Sequence, residues 1–248
     1  MNLYRGMAAR NAHRLVWSSE KDKQKWQPVY NAINAEWPEV ERMSVLAGLR
    51  PCTLQPLNKG QYLQVLPWAM QNGLFVRAVR TVKSWAGAAN YYEDGDDFVI
   101  TAIANRRDAL EHPEDNLGYP PCCQRFFAAH WPVINDPVWQ WATQTNDNGQ
   151  HEATVVASPY SDPTLRYANI RFSPHISCHP QCAASIALGS AMGELMSPEL
   201  RSARLELFNM AHSWDAYKSL AIVKLPPLRM IVGSVPAAER YLVNVTCS

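Results

Sequence analysis

Apolar positions between residues 21 and 49 recur at three- and four-residue intervals, with Trp26, Val29, Tyr30, Ile33 and Trp37 on one stripe. That period predicts an amphipathic helix, interrupted before Pro38 and resumed through Leu46. A second helical pattern over 61–71 stops at Asn72-Gly73, and the run 74–82 then alternates apolar with basic residues in part, as a strand does. The acidic sequence Glu93-Asp94-Gly95-Asp96-Asp97 predicts a solvated hairpin turn, and 98–104 a buried strand. Further along, short helices are expected over 106–112, 122–130 and 137–145, and extended segments over 152–157 and 165–172. Two more helices follow, one reaching Met196 and one opening at Ser197-Pro198-Glu199 and running to Met210, before strand-like stretches at 220–232 and 241–245. Helices and strands interleave without a regular βαβ period. The expected class is therefore α+β, or an irregular α/β arrangement, with a mixed sheet packed against several helices in a single globular domain over 1–248. The polar stretch 146–151 is the candidate for a flexible boundary.

Composition narrows the setting more than the function. With 248 residues, 47% of them hydrophobic, the chain can bury a core without disulfide staples. A formal net charge of +1 provides no global field toward nucleic acid or an anionic membrane, which leaves only a local basic strand with Arg77, Arg80 and Lys83 for a nucleic-acid partner. No stretch approaches the roughly 20 apolar residues of a membrane span, and no leader-like apolar segment opens the chain, so a cytoplasmic protein with no membrane partner is expected. Neither a phosphate-binding G-x-x-x-x-G-K-[ST] loop nor a G-x-G-x-x-G fingerprint occurs, and the C-x3-C-x2-C run of radical S-adenosylmethionine enzymes is missing.

Chemistry concentrates in two short segments that hold four of the six cysteines: Gly118-Tyr119-Pro120-Pro121-Cys122-Cys123 and Pro174-His175-Ile176-Ser177-Cys178-His179-Pro180-Gln181-Cys182. Pro121 and Pro180 each suit the first position of a helix, which would set Cys122, Cys123 and Cys182 in first turns and Cys178 in the loop before one of them. Free N–H groups and the positive dipole end at such places stabilise thiolates. The expected metal ligands are Cys122, Cys123, Cys178 and Cys182, holding either a [4Fe–4S] cluster or Zn2+. Adjacent helical residues diverge by about 100°, so Cys122 and Cys123 are not expected both to reach one small ion. A zinc site would then take one of them and recruit His175 or His179. Burial of free cysteines as small hydrophobes is the remaining alternative.

Taken together, the segment 118–123 with Phe126-Phe127, the segment Arg171-Phe172-Ser173-Pro174-His175-Ile176-Ser177-Cys178 with Cys182, and Trp214-Asp215-Ala216-Tyr217 before Pro226 resemble a family of uncharacterised prokaryotic and phage proteins. Those proteins carry a YPxCC element, an RxxPHxPCxxxC element and a tryptophan-acid element. Ser177 stands here where a proline is usual, and the similarity spans residues 117–227. The resemblance implies one site built from these segments and, through its phage members, a setting in nucleotide or nucleobase modification.

Other polar residues complete the expected site. Asp215 and His175 are candidates for proton transfer, because aromatic neighbours desolvate a carboxyl group and imidazole titrates near neutrality. Arg171 and Arg125 flank the cysteine segments and suit a bidentate hold on an anionic group, with Trp214 and Tyr217 beside them as substrate-binding residues. The alternatives are structural: Asp215 capping a helix-to-strand turn, the arginines in salt bridges, and Trp131, Trp139 and Trp141 in the core. His130, His151 and His212 read as isolated packing residues, and Cys52 and Cys247 have no neighbour in sequence to pair with. Two function classes follow. One is an iron–sulfur or zinc metalloenzyme acting on a small polar or anionic substrate; the other is a noncatalytic metal-stabilised binding module that contacts nucleic acid.

Overall fold

The computed structural model describes residues 14–84, 92–94, 97–130, 137–143 and 151–248. In chain order it contains β1 (Arg14–Trp17), α1 (Glu20–Leu46), β2 (Cys52–Leu57), α2 (Lys59–Gln71), β3 (Phe75–Ser84), β4 (Tyr92–Asp94) and β5 (Phe98–Ala104). There follow α3 (Pro121–His130), α4 (Pro137–Thr143), β6 (Glu152–Ala157), α5 (Ala183–Gly193), α6 (Pro198–Phe208), β7 (His212–Leu225) and β8 (Leu228–Cys247). Short 3₁₀ turns sit at Asp108–Leu110 and Thr164–Ala168. This is an α+β protein. Two compact units are distinguished, Trp37–Tyr119 and the remainder, and the candidate boundary at 146–151 falls, apart from His151, outside the described residues.

The unit Trp37–Tyr119 carries an antiparallel sheet in the order β2-β5-β3-β4. Its helix α2 begins two residues before the pattern placed it, because Asn58 and Gln61 exchange side-chain and backbone hydrogen bonds of 2.9 and 3.0 Å in a capping box. It ends at Asn72-Gly73, where Gly73 takes φ +68°. The helical stripe of α1 is buried at Trp26, Ile33, Trp37, Val40 and Val45, and α1 runs unbroken through Pro38 instead of stopping there. A proline inside a helix costs about 3 kcal/mol. Burial of the stripe on both sides offsets that cost, and the Gln55 amide donates to the Pro38 carbonyl at 2.6 Å.

The larger unit is organised around β8. Along one edge β8 pairs antiparallel with β7; along the other it pairs antiparallel with β1 through Leu228–Ile231 and parallel with β6 through Leu242–Cys247. The segment Trp214–Tyr217, expected at a turn, lies inside β7, which starts eight residues earlier than the apolar pattern suggests. Residues 165–172 are not extended. Leu165, Ala168, Ile170 and Phe172 are all buried around the 3₁₀ turn Thr164–Ala168, and an apolar run buried on every side has the same sequence signature as a buried strand. Against this turn region lies α5, so close that a Cβ on Gly189 would stand 2.2 Å from the Tyr160 carbonyl oxygen. Only glycine permits that approach. A buried ion pair joins α1 to α6: Glu36 accepts from Arg204 at 2.6 Å and from the Ser197 backbone N–H at 2.7 Å. No helix among the described residues is long and apolar enough to cross a membrane.

Candidate metal centre

Helix α3 starts at Pro121, so Cys122 and Cys123 occupy its first turn as the sequence predicts. Their sulfurs nonetheless converge. Cys122 Sγ lies 3.8 Å from Cys123 Sγ, and Cys182 Sγ lies 3.8 Å from the former and 3.7 Å from the latter. Cys178 Sγ completes the group, all four sulfurs lying within 4.8 Å of one another. The expectation that the adjacent pair diverges is therefore overturned, since χ1 rotation on two short side chains closes the angle that separates their Cβ atoms. Pro180 also differs from expectation. It sits in a turn, α5 begins three residues later at Ala183, and Cys182 is its N-cap instead of a first-turn residue. The Ser185 backbone N–H at the helix start still faces this sulfur.

The loop that delivers Cys178 and Cys182 is fixed by short hydrogen bonds. Ser177 donates its hydroxyl to the Ser161 carbonyl at 2.5 Å, and Ser161 donates its own to the Pro180 carbonyl at 2.7 Å. A proline in place of Ser177 could not make the first of these. Behind the sulfurs lies a polar chain that sequence inspection missed. Cys123 Sγ is 3.2 Å from Ser185 Oγ, Ser185 Oγ is 2.7 Å from His175 Nε2, and His175 Nδ1 is 2.8 Å from Ser173 Oγ. Both ring nitrogens of His175 are engaged in this chain, so the histidine positions the Cys123 sulfur through Ser185. The one signal for Ser185 was its place three residues after Cys182, in the first turn of α5.

Crowding sets the charge on the thiols. Burial pushes Cys123 up, and burial with the neighbouring Cys182 and Cys122 thiols pushes Cys178 up to about 12. Burial opposes ionisation of Cys182 as well, but the Ser185 backbone N–H and hydroxyl and the Cys178 and Cys123 thiols outweigh it and hold Cys182 down at about 7. Of the shifted thiols only Cys182 is held toward the thiolate, and a cation joining the sulfurs would favour ionisation of Cys123 and Cys178 as well. A cluster of this composition can bind a metal.

The other expected residues lie in different surroundings. Arg125 is exposed on α3, and Arg171 is half-buried just ahead of Phe172. Trp214 is fully buried against Tyr167, with ring centroids 4.7 Å apart, whereas Tyr217 is half-exposed beside Lys218. Successive strand residues point to opposite faces, so Trp214 and Asp215 do not share one. The Asp215 carboxylate accepts from Arg240 Nε and Nη2 and from Lys224 Nζ, each at 2.8 Å. Arg240 first, with Lys224 and against the opposing effect of burial, lowers its pKa to about 2. A carboxylate so held is ionised at neutral pH and has no proton to donate. Trp139 stacks on Tyr241 at 4.8 Å and Trp141 is buried, both as core residues, while Trp131 lies outside the described residues. Cys52 is packed among Ala102, Ala104 and Ala109, and burial raises it to about 11. No protein-family model, no curated protein and no solved structure matches the chain, so the four-sulfur cluster itself is the ground on which its function is read.

Proposed function

We propose that the protein is a metalloprotein whose four thiolates hold one tetrahedral ion, zinc or a single iron, which ties the start of α3 to the loop before α5. The spacing of the sulfurs carries this reading. Metal–sulfur bonds of about 2.3 Å at tetrahedral angles place the sulfurs about 3.8 Å apart. Three of the separations here are 3.7 to 3.8 Å. A [4Fe–4S] core stands between its thiolates with a whole inorganic framework and needs them much farther apart. Four protein ligands close the coordination shell, which favours a metal-organised binding module over a catalytic centre with an open position.

The iron–sulfur enzyme acting on a small anionic substrate is the second reading. It is favoured by the partial exposure of Cys122 and Cys178, which gives a bound centre a solvent-facing side. The family resemblance supplies nucleotide or nucleobase modification as its setting, with Arg171 or Arg125 on the anion. Anaerobic purification followed by metal analysis, inorganic sulfide determination and absorption spectroscopy separates the two. Metal bound at the four sulfurs without inorganic sulfide is the expected result; about four irons with about four sulfides per chain would replace the first reading by the second.

A further inference from the structure

A second group of ligand atoms lies in the larger unit, assembled from residues that sequence inspection treats as unrelated. His212 opens β7, Cys247 ends β8 and Asp162 stands in the segment between β6 and the 3₁₀ turn. Their donor atoms fall within 4.8 Å of one another. His212 Nε2 donates to Asp162 Oδ2 at 2.7 Å, and the Cys247 thiol approaches the same oxygen at 3.7 Å. His212 is thus not an isolated packing residue, and Cys247 has partners 35 and 85 residues away in the chain.

We infer that Asp162, His212 and Cys247 form a second metal site, which takes a divalent ion of the zinc type through one oxygen, one nitrogen and one sulfur. The atoms of each side chain that do not face the centre support this assignment. Asp162 Oδ1 accepts from the Thr164 backbone N–H at 2.7 Å and from its hydroxyl at 2.6 Å, and His212 Nδ1 donates to the Met210 carbonyl at 2.8 Å. Metal-bound histidines and carboxylates are held by this kind of outer contact, which sets the tautomer and aims the remaining donor inward. The side chains of Asp162 and His212 have no solvent exposure. A thiol set against a buried carboxylate at 3.7 Å gains little as a hydrogen bond. As ligands, the carboxylate and the thiolate neutralise a divalent ion, and imidazole adds a neutral donor. Binding to the imidazolium and thiol forms displaces two protons, one from His212 Nε2 and one from Cys247 Sγ. Mixed N, O and S donors suit zinc, and three protein ligands leave a fourth position for water or a substrate atom, reached from the side on which Cys247 is partly exposed.

The test counts ions on the intact chain by equilibrium dialysis against Zn2+ and native mass spectrometry, and examines the Cd2+-loaded protein by cadmium NMR. Two ions per chain are expected, with one all-sulfur resonance and one from a mixed N, O, S shell. Cys247→Ala should weaken the second ion by more than about a hundredfold, since loss of outer contacts alone costs about 10- to 100-fold, while leaving the all-sulfur resonance in place. Cys182→Ser should do the reverse. One ion with a single all-sulfur resonance, or two ions unaffected by Cys247→Ala, would overturn the inference and leave a buried ion pair only. If Cys247→Ala does not fold, the wild-type spectrum decides, because an absent mixed-shell resonance overturns the site without any variant. A mixed-shell ion found without an all-sulfur one supports this site and removes the four-sulfur reading instead.

Discussion

The four-sulfur centre and the Asp162, His212 and Cys247 group reach convergence by different physical routes. In the first, each pair of ligands comes from one short stretch of chain: a helix turn for Cys122 and Cys123, and a five-residue span ending at an N-cap for Cys178 and Cys182. Bringing two such stretches together assembles the whole centre. In the second, each ligand belongs to a different element, and the register of the sheet puts them together. His212 pairs with Val245, two residues before Cys247 and on the same face, while Cys247 pairs with Ala157 at the end of β6, five residues before Asp162. A slip of one residue between β7 and β8 would turn Cys247 to the opposite face. A metal at the first centre, as proposed, would therefore contribute to closing it, whereas the second group is already held by the sheet.

That contrast is tested most strongly by removing metal from the sulfur centre. Structural zinc contributes apparent energies of about 10–16 kcal/mol to small metal-organised folds, and a change of 1 kcal/mol shifts melting by about 2–4 °C in a chain of this size. Chelation, or Cys178→Ser or Cys182→Ser, should therefore lower the melting temperature by at least about 10 °C and release hydrogen-exchange protection over 120–130 and 178–193. Cys122→Ser and Cys123→Ser should act alike, whereas Cys52→Ser should leave the metal content unchanged. Unchanged protection after verified metal loss would show that the first centre, too, is held by the surrounding fold.

At the second group the largest loss should come from breaking the ion pair, whatever the metal content. Asp162→Ala leaves His212 buried without its carboxylate and removes the acceptor for Thr164, a loss of about 3–5 kcal/mol in chemical denaturation. Metal at the four sulfurs should survive it. Gly189→Ala should affect both sites together, because the added Cβ must push α5 away from the Tyr160 carbonyl, which lies two residues from Asp162, while Cys182 caps the same helix. A destabilisation of about 1–3 kcal/mol is expected, with weaker metal binding at both centres; an effect confined to one would mean they share no wall. Ser177→Ala removes only the bond to the Ser161 carbonyl and should cost about 1 kcal/mol.

Asp215 supplies the smallest and most local contrast, a polar cluster with no metal-binding geometry. Its folded pKa of about 2 lies below the ordinary value of 3.8, so its ion pairs stabilise the protein above that ordinary value and are lost as pH falls through the folded one. The stability gap between wild type and Asp215→Asn should be present at pH 6 and close toward pH 2. A gap that persisted at pH 2 would refute the ion-pair account of this residue.

From the sequence alone, the α+β class, most of the helices and the grouping of the four cysteines were legible, because each depends on patterns confined to a few residues: hydrophobic period, capping chemistry, and proline beside cysteine at a helix start. Tertiary structure decided the rest. It carried α1 through Pro38 by burying the stripe on both sides and curled 165–172 into a buried turn. It also brought adjacent cysteines to one centre, since rotamers answer to the partner across the gap and not to the helix angle. Most of all, it made a ligand group of His212, Asp162 and Cys247. Each is unremarkable in its own stretch of chain, and they meet only because strand register converts separations of 50 and 85 residues into contacts.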